Sequence, residues 1–347
     1  MANVGIVGVG FMGWIHYLAY QKIRGMKLTA ICTRNKKKLA GDWRGIKGNF
    51  GPEGKKIDVS KIDCYDSFDK MLADPKIDLI DICLPPDLHA EFSIKAAKAG
   101  KHVLVEKPIA MSIAETKKMV AAAKKANTLL MTAHVLPFFD EYAFVLKAAQ
   151  SGKYGKVLGG TFKRMISDPL WLPDFYDPVK VGGPMIDLHI HDAHFIRLLF
   201  GMPTAVTSQG RMRGEVLEYF NSQFDFEDSS LCVNAACGVI NQQGRAFTHA
   251  FEVHFEKATM LFDFAVIDGE PRMLMPLTVL PNKGKAKQPK LGSGDPVDAF
   301  VAELKEAGKA ISSGSPSTIL GGDLAMDALV MCQKQTDSVA KGRKVRI

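Results

Sequence analysis

The first thirteen residues constrain this chain more than any other stretch. A β-rich run, Asn3 to Val9, turns through Gly8-Val-Gly10-Phe-Met-Gly13 into a segment with helical spacing, Gly13 to Arg24. Each glycine answers a separate demand. Gly8 permits the tight turn. Gly10 lets the backbone approach a pyrophosphate where any Cβ would collide. Gly13 lets the helix pack close to the strand. The free N–H groups of the opening turn, around Phe11 and Met12, and the positive end of the helix dipole then favour phosphate. The loop predicts a dinucleotide site at Gly8, Gly10, Phe11, Met12 and Gly13.

The following segments repeat the strand–helix rhythm. Lys27 to Thr33 reads as a strand. Ile77 to Leu84 is an apolar run broken only by Asp78 and Asp81 and stopped by Pro85-Pro86. Asp87 is placed to cap a helix to about Ala99, His102 to Val105 is a strand, and Ser112 with Glu115 forms a capping box. Leu129 to His134 is a further strand. Buried strands alternating with helices predict a parallel, doubly wound sheet, an α/β Rossmann domain over residues 1–134. The rhythm then changes. Helices are expected at Asp140 to Ser151 and Met185 to Phe200, strands between Ala205 and Leu280, a loop at 281–295, and helices from Pro296 to Ser312 and Gly322 to Ala340. That predicts an α+β domain over 135–347 with a large, mostly antiparallel open sheet, its C-terminal helix packing back on the first domain. A chain of 347 residues exceeds one ordinary core, in keeping with two domains.

The second strand ends in Thr33-Arg34, about 20 residues past the glycines, where an NAD site wants a carboxylate for the ribose 2′-hydroxyl. Thr33 and Arg34 would instead accept a 2′-phosphate, so NADP is expected over NAD. Six cysteines without a C-x-x-C pair read as buried thiols of a reducing compartment. No signal-peptide pattern opens the chain and no apolar run approaches a membrane span, which predicts a cytoplasmic enzyme with no membrane partner. The net charge is +8, but apart from Lys36 to Lys38 and the loop Lys283 to Lys290 the basic residues are scattered, and without interleaved aromatics these lysines are expected to be a solvated surface and not a nucleic-acid site.

Three further segments carry a family resemblance over nearly the whole chain. Leu84-Pro-Pro-Asp-Leu-His89 is similar to a T-P-N-x-x-H turn. His102-Val-Leu-Val-Glu106-Lys107-Pro108 contains E-K-P. Gly182-Gly-Pro-Met-Ile-Asp187-Leu-His-Ile-His191-Asp192 matches a G-G-x-x-x-D-x-x-x-H-D pattern. With the glycine loop, these resemble the Gfo/Idh/MocA oxidoreductases, the family of glucose–fructose oxidoreductase and inositol dehydrogenase. The resemblance implies hydride transfer between a nicotinamide and a sugar, cyclitol or related polyol. Leu84, Pro85, His89, Glu106 and Lys107 would join the cofactor site, and Lys107, Asp187 and His191 would be catalytic. Histidine ordinarily titrates near neutrality, which suits His191 to take the hydroxyl proton as hydride leaves. Lys107 would orient the hydroxyl and share the proton, and Asp187 would hold a substrate hydroxyl. His134, Arg164 and Trp171 are candidate substrate contacts, with Phe175 near Trp171. The family also implies a homodimer or homotetramer through the C-terminal sheet.

Some positions depart from the pattern. Pro86 replaces the usual Asn, Pro137 stands where many members carry Arg, Asp140 where many carry Pro, and Val181 shortens the glycine run. These departures bear on substrate identity more than on reaction class. Two rival readings follow from the same residues: a non-catalytic NADP(H)-binding regulator, and a metal-dependent hydrolase using Asp187, His191 and His194.

Overall fold

A computed structural model describes residues 1–347. The chain forms two compact units. One is Met1–Phe139 with Ser293–Met326, the other Asp140–Gly292 with Asp327–Ile347.

In the first unit β1 (Ala2–Val7), β2 (Met26–Cys32), β3 (Asp63–Tyr65), β4 (Leu79–Ile82), β5 (His102–Glu106) and β6 (Leu130–Ala133) form one sheet in the order β3-β2-β1-β4-β5-β6. Every pairing is parallel. The order reverses beside β1, which is the switch point where open α/β sheets bind ligands beyond the carboxyl ends of their strands. Helices α1 (Phe11–Tyr20), α2 (Lys36–Leu39), α3 (Phe68–Leu72), α4 (His89–Lys98) and α5 (Ile113–Ala126) connect these strands. Ser112 accepts the Glu115 N–H at 3.2 Å and donates its hydroxyl to the Glu115 carboxylate at 2.8 Å, so the expected capping box forms through the side chains. The Pro85-Pro86 pair shapes the start of the fourth helix. Pro86 opens a 3₁₀ turn, Pro86–Leu88, and α4 begins only at His89, so Asp87 is not its cap. Val4, Ile6, Leu79 and Leu104 from the strands pack with Trp14 and Ile15 of α1 and Phe300 and Leu304 from the 293–326 segment, all buried. Each such side chain contributes roughly 1.5–3 kcal/mol by leaving water.

In the second unit α6 (Asp140–Ser151) spans the residues expected. It is followed by β7 (Val157–Ser167), a π-helical turn at Met185–His189, α7 (Ile190–Phe200) and six strands: β8 (Ala205–Arg213), β9 (Val216–Asp225), β10 (Cys232–Ile240), β11 (Arg245–Phe255), β12 (Ala258–Ile267) and β13 (Glu270–Pro281). With β14 (Val345–Arg346) they form an eight-stranded sheet, β13-β12-β11-β7-β10-β9-β8-β14. It is antiparallel except where β10 runs parallel to β7. β7 lies in the middle of this sheet, although the strand-rich pattern was read only from Ala205 onward. Gly159-Gly160 and Lys163-Arg164 interrupt its apolar alternation, which hides it from a periodicity argument. Helices α8 (Val297–Ser313) and α9 (Gly322–Lys341) complete the chain. α8 belongs to the first unit and packs on α1, and α9 lies mostly in the second. No helix is long and apolar enough to cross a membrane.

Candidate active site

Two of the three glycine demands read from the sequence are met inside the protein, at Gly8 and Gly13. Gly8 has φ +97°, and a Cβ there would lie 2.4 Å from the Cys83 carbonyl oxygen. A Cβ on Gly13 would lie 2.2 Å from the Gly8 carbonyl oxygen, so α1 sits against the turn itself. Gly10 differs from both: nothing lies within 4 Å of where its Cβ would be. It is the N-cap of α1, no side chain caps that helix, and no acidic residue occupies its first turn. A bare backbone facing open space at an uncompensated positive helix end fits a dinucleotide pyrophosphate. Phe11 packs edge-on against Phe50, and both Phe11 and Met12 lie against the core, so what these two offer a ligand is backbone.

The end of β2 supplies positive charge. Thr33 is fixed by its N–H to the Tyr65 carbonyl at 3.1 Å, and Arg34 is exposed. Asn35 caps α2 by accepting the Lys37 and Lys38 N–H groups at 3.0 and 3.2 Å. Lys38 bends back and donates to the Val9 carbonyl inside the glycine loop. A shallow cavity of about 440 Å³ opens here, lined by Asn35, Lys37, Lys38, Asp42, Arg44 and Gly45. Asp42 holds Arg44 through two 2.8 Å bonds, and that guanidinium pulls its carboxyl down to about 2.

The loops after β4 and β5 are tied together by His89. Its ring nitrogens lie 2.7 Å from the Pro108 carbonyl oxygen and 2.8 Å from that of Leu84. Burial pushes this imidazole down in pKa, against the smaller opposite pull of the two carbonyls. His89 thus braces the backbone on both sides of the sheet edge from beneath. Lys107 follows β5 directly, and its N–H donates to Glu106 Oε2 at 3.1 Å.

The other oxygen of Glu106 leads to residues that the sequence reading passed over. His16 Nε2 lies 3.1 Å from Glu106 Oε1, and His16 Nδ1 lies 2.8 Å from Asp81 Oδ2. The first contact does not have hydrogen-bond geometry and is an ion pair instead. Tyr20 donates to Asp81 at 2.9 Å. The signal was present in the sequence: a carboxylate interrupting a buried parallel strand, as Asp81 does, requires a partner.

In the second unit Asp187 lies in the π-helical turn and His191 in the first turn of α7. Their four-residue spacing therefore crosses a π-to-α junction, where the 3.6-residue turn that puts positions i and i+4 on one helix face does not hold throughout. Both remain partly exposed, while His189, Asp192 and His194 are buried. Burial pushes His189 down to about 4, which keeps that ring neutral near pH 7. Arg164 of β7 is buried and committed to Asp192, through bonds of 2.8 and 2.9 Å. Trp171 is 67% exposed, Phe175 is buried, and His134 of the first unit is buried just past β6.

A six-stranded doubly wound sheet with this glycine turn defines a dinucleotide-binding architecture. Residues 2–134 match the oxidoreductase family with an NAD-binding Rossmann fold, and residues 142–261 match the GFO/IDH/MocA C-terminal domain. The chain belongs to the Gfo/Idh/MocA family of NAD(P)-dependent oxidoreductases. It is 27% identical to a myo-inositol 2-dehydrogenase of Thermotoga maritima, over 99% of this chain and 98% of the relative. It is 28% identical to a levoglucosan dehydrogenase of Pseudarthrobacter phenanthrenivorans, over 76% and 73%. Among solved structures, a levoglucosan dehydrogenase in complex with NADH superposes with TM-score 0.79 at 22% identity, covering 100% of this chain and 99% of that one. The regulator and metal-hydrolase readings find no support among these relatives.

Proposed function

We propose that this enzyme transfers hydride between NADP(H) and a hydroxyl or carbonyl carbon of a sugar, cyclitol or related polyol. The observation that carries the reading is the Gly8–Gly13 loop with its open Gly10 backbone and uncapped helix end, on the same sheet edge from which Lys107 emerges. Family membership and relatives named for inositol and levoglucosan support the substrate class.

The bound nicotinamide supplies the hydride chemistry. Gly8 and Gly13 shape the turn and seat the helix, Gly10 leaves room for the pyrophosphate, and the N–H groups of Phe11 and Met12 bind it. Leu84, Pro85, His89 and Glu106 hold the backbone around it. His191 takes the hydroxyl proton during oxidation, Lys107 orients that hydroxyl and shares the proton, and Asp187 accepts a hydrogen bond from a neighbouring hydroxyl. His134 and Trp171 are secondary candidates for substrate contact.

Preference for NADP rests on Thr33 and Arg34, which stand where a ribose-binding carboxylate would repel a 2′-phosphate, and on Lys37 and Lys38 beside them. Fluorescence titration should show NADPH binding more tightly than NADH. Arg34→Ala should weaken NADPH by about 10- to 100-fold, the worth of a charge-assisted bond to phosphate, and leave NADH nearly unchanged. Equal affinities insensitive to Arg34 would remove the NADP preference and leave the reaction class standing.

A homodimer or homotetramer through the second sheet fits its exposed apolar edge. Strand β13 ends the sheet and exposes Met273, Leu274 and Met275. Sedimentation velocity should give a dimer or larger, shifted toward monomer by Leu274→Lys. A monomer at micromolar concentration would contradict this assembly.

A further inference from the structure

Four acid–base side chains converge beneath the dinucleotide loop from four elements of the first unit: His16 of α1, Asp81 of β4, Glu106 of β5 and Glu303 of α8. His16, Asp81 and Glu303 are 0% exposed. Each buried ion costs several kcal/mol unless paired, so such a cluster in an Ile- and Leu-rich core persists only as a mutually compensated set. Cys83 Sγ lies 3.6 Å from both His16 Nδ1 and Asp81 Oδ1, which gives His16, Asp81 and Cys83 the composition of a metal site. The separations favour a proton instead. Ligands about 2.0–2.1 Å from a tetrahedral ion stand roughly 3.3 Å apart, whereas His16 Nδ1 and Asp81 Oδ2 are at the hydrogen-bond distance of 2.8 Å.

We propose that His16 is a positioning residue for Lys107: bonded to Asp81 at one ring nitrogen and ion-paired with Glu106 at the other, it fixes the carboxylate that holds the Lys107 amide. The inference rests on the reading that Lys107 transfers the proton. The linkage is continuous in the structure. Asp81 is braced by the Tyr20 hydroxyl at 2.9 Å, holds His16 at 2.8 Å, and His16 meets Glu106 at 3.1 Å. Glu106 Oε2 then accepts the Lys107 N–H at 3.1 Å. His16 sits three residues past Gly13 on the helix whose N-terminus forms the dinucleotide site. One helix thereby sets the cofactor loop and, through Glu106, the backbone from which Lys107 starts. Misplacing a reacting group by about 1 Å can cost about 100-fold in rate, which gives such a brace a function beyond packing.

The charge states agree with this arrangement. Burial, the largest single influence, would lower His16, but Asp81 and Cys83 beside it together outweigh that and hold the imidazole well above its usual range. Burial raises Glu303 well above a normal carboxyl and keeps the Cys83 thiol protonated, while the Asp81 charge pushes both further up. The directions agree with the geometry: His16 favours its protonated form beside Asp81, and Glu303, Cys83 and Tyr20 favour their neutral forms.

The test uses the full chain with its lysines reductively ¹³C-methylated, the Lys107 resonance being assigned by its loss in Lys107→Arg. In folded His16→Gln the Lys107 resonance should shift, while NADPH affinity changes by less than about threefold. An unmoved Lys107 resonance would overturn the proposal, because a purely structural His16 lowers stability without touching Lys107. Glu106→Gln provides a second reading should His16→Gln not fold. It should shift the same resonance and lower the pH at which the His16 ring, followed by ¹⁵N, loses its proton. A His16 titration unaffected by Glu106→Gln would equally overturn the link. Full turnover in Lys107→Ala would instead defeat the catalytic reading, so the two failures are distinguishable.

Discussion

Lys107→Ala is expected to lower kcat by about 10²- to 10⁴-fold, the usual worth of a positioned proton-transfer group, equivalent to about 2.7–5.4 kcal/mol of activation free energy. NADPH affinity should stay within about threefold of wild type, because the residues proposed to bind the pyrophosphate lie on the glycine loop and α1. The expectation follows from placement. Lys107 is the first residue past β5, at the carboxyl edge of the sheet, and its amide is held by Glu106 while the next residue's carbonyl is held by His89. Such fixing of both flanks is what a group needs to act at one place on a substrate. Lys107→Arg separates two roles. Arginine keeps the positive charge but does not give up its proton in the working pH range, so activity should stay low if Lys107 shares a proton. Recovery of most activity in Lys107→Arg would reduce its part to electrostatic orientation. Single-turnover measurements with NADP⁺ and the polyol chosen by screening would place the loss in the chemical step, with KM little changed. Wild-type kcat in Lys107→Ala would remove it from the mechanism.

What could be read from the sequence depended on whether the determining contacts were local. The glycine turn was legible because Gly8, Gly10 and Gly13 act within six residues, and their backbone demands leave a composition trace. The Ser112–Glu115 box and α6 were legible for the same reason. Five of the six strands of the first sheet were legible as apolar runs; β3, three residues long and largely exposed, left no such trace. The His16 cluster was not, because its ion pairs span 65 residues to Asp81 and 90 to Glu106. Only the odd carboxylate in β4 hinted at it. Lys38 illustrates the same limit: as one of three consecutive lysines it read as solvated, yet it reaches 29 residues back to Val9. β7 was lost to its paired glycines and paired basic residues, although its centre holds the partner of Asp192. The Asp187–His191 spacing was visible, but residue counting does not distinguish an α-turn from the π-turn that carries Asp187.

Arg164→Ala, or Asp192→Ala, is expected to destabilise the second unit by about 3–5 kcal/mol, the cost of leaving one member of a buried ion pair without the other. The pair is planar and two-pronged, at 2.8 and 2.9 Å, with side chains only 6% and 2% exposed. Burial alone would lower the Arg164 pKa, but the Asp192 carboxylate more than offsets that and keeps the guanidinium charged. With Asp192 gone, the neighbours left to a buried cation include Phe247, about 5.9 Å from the guanidinium carbon, Tyr142, the Cys237 thiol, which burial pushes up, and His249, whose ring is pushed well below its usual range by burial and by Arg164 itself. None of these supplies a negative charge near neutral pH. The two single variants should therefore each show a lowered urea midpoint at an unchanged slope. The double variant Arg164→Met with Asp192→Leu tests the cause. Removing both charges removes the desolvation penalty as well, so it should be more stable than either single variant, a coupling opposite in sign to simple addition. If the singles cost less than about 1 kcal/mol, or the double loses as much as their sum, the pair acts as a solvated surface bridge would, and the premise of its burial fails. The pair also bears on activity. Asp192 follows His191 directly, so the bond to β7 fixes the first turn of α7 and with it the backbone of the proposed base. A double variant that regains stability but not turnover would show that the charged tie orients His191, and one that regains both would confine its role to holding the fold.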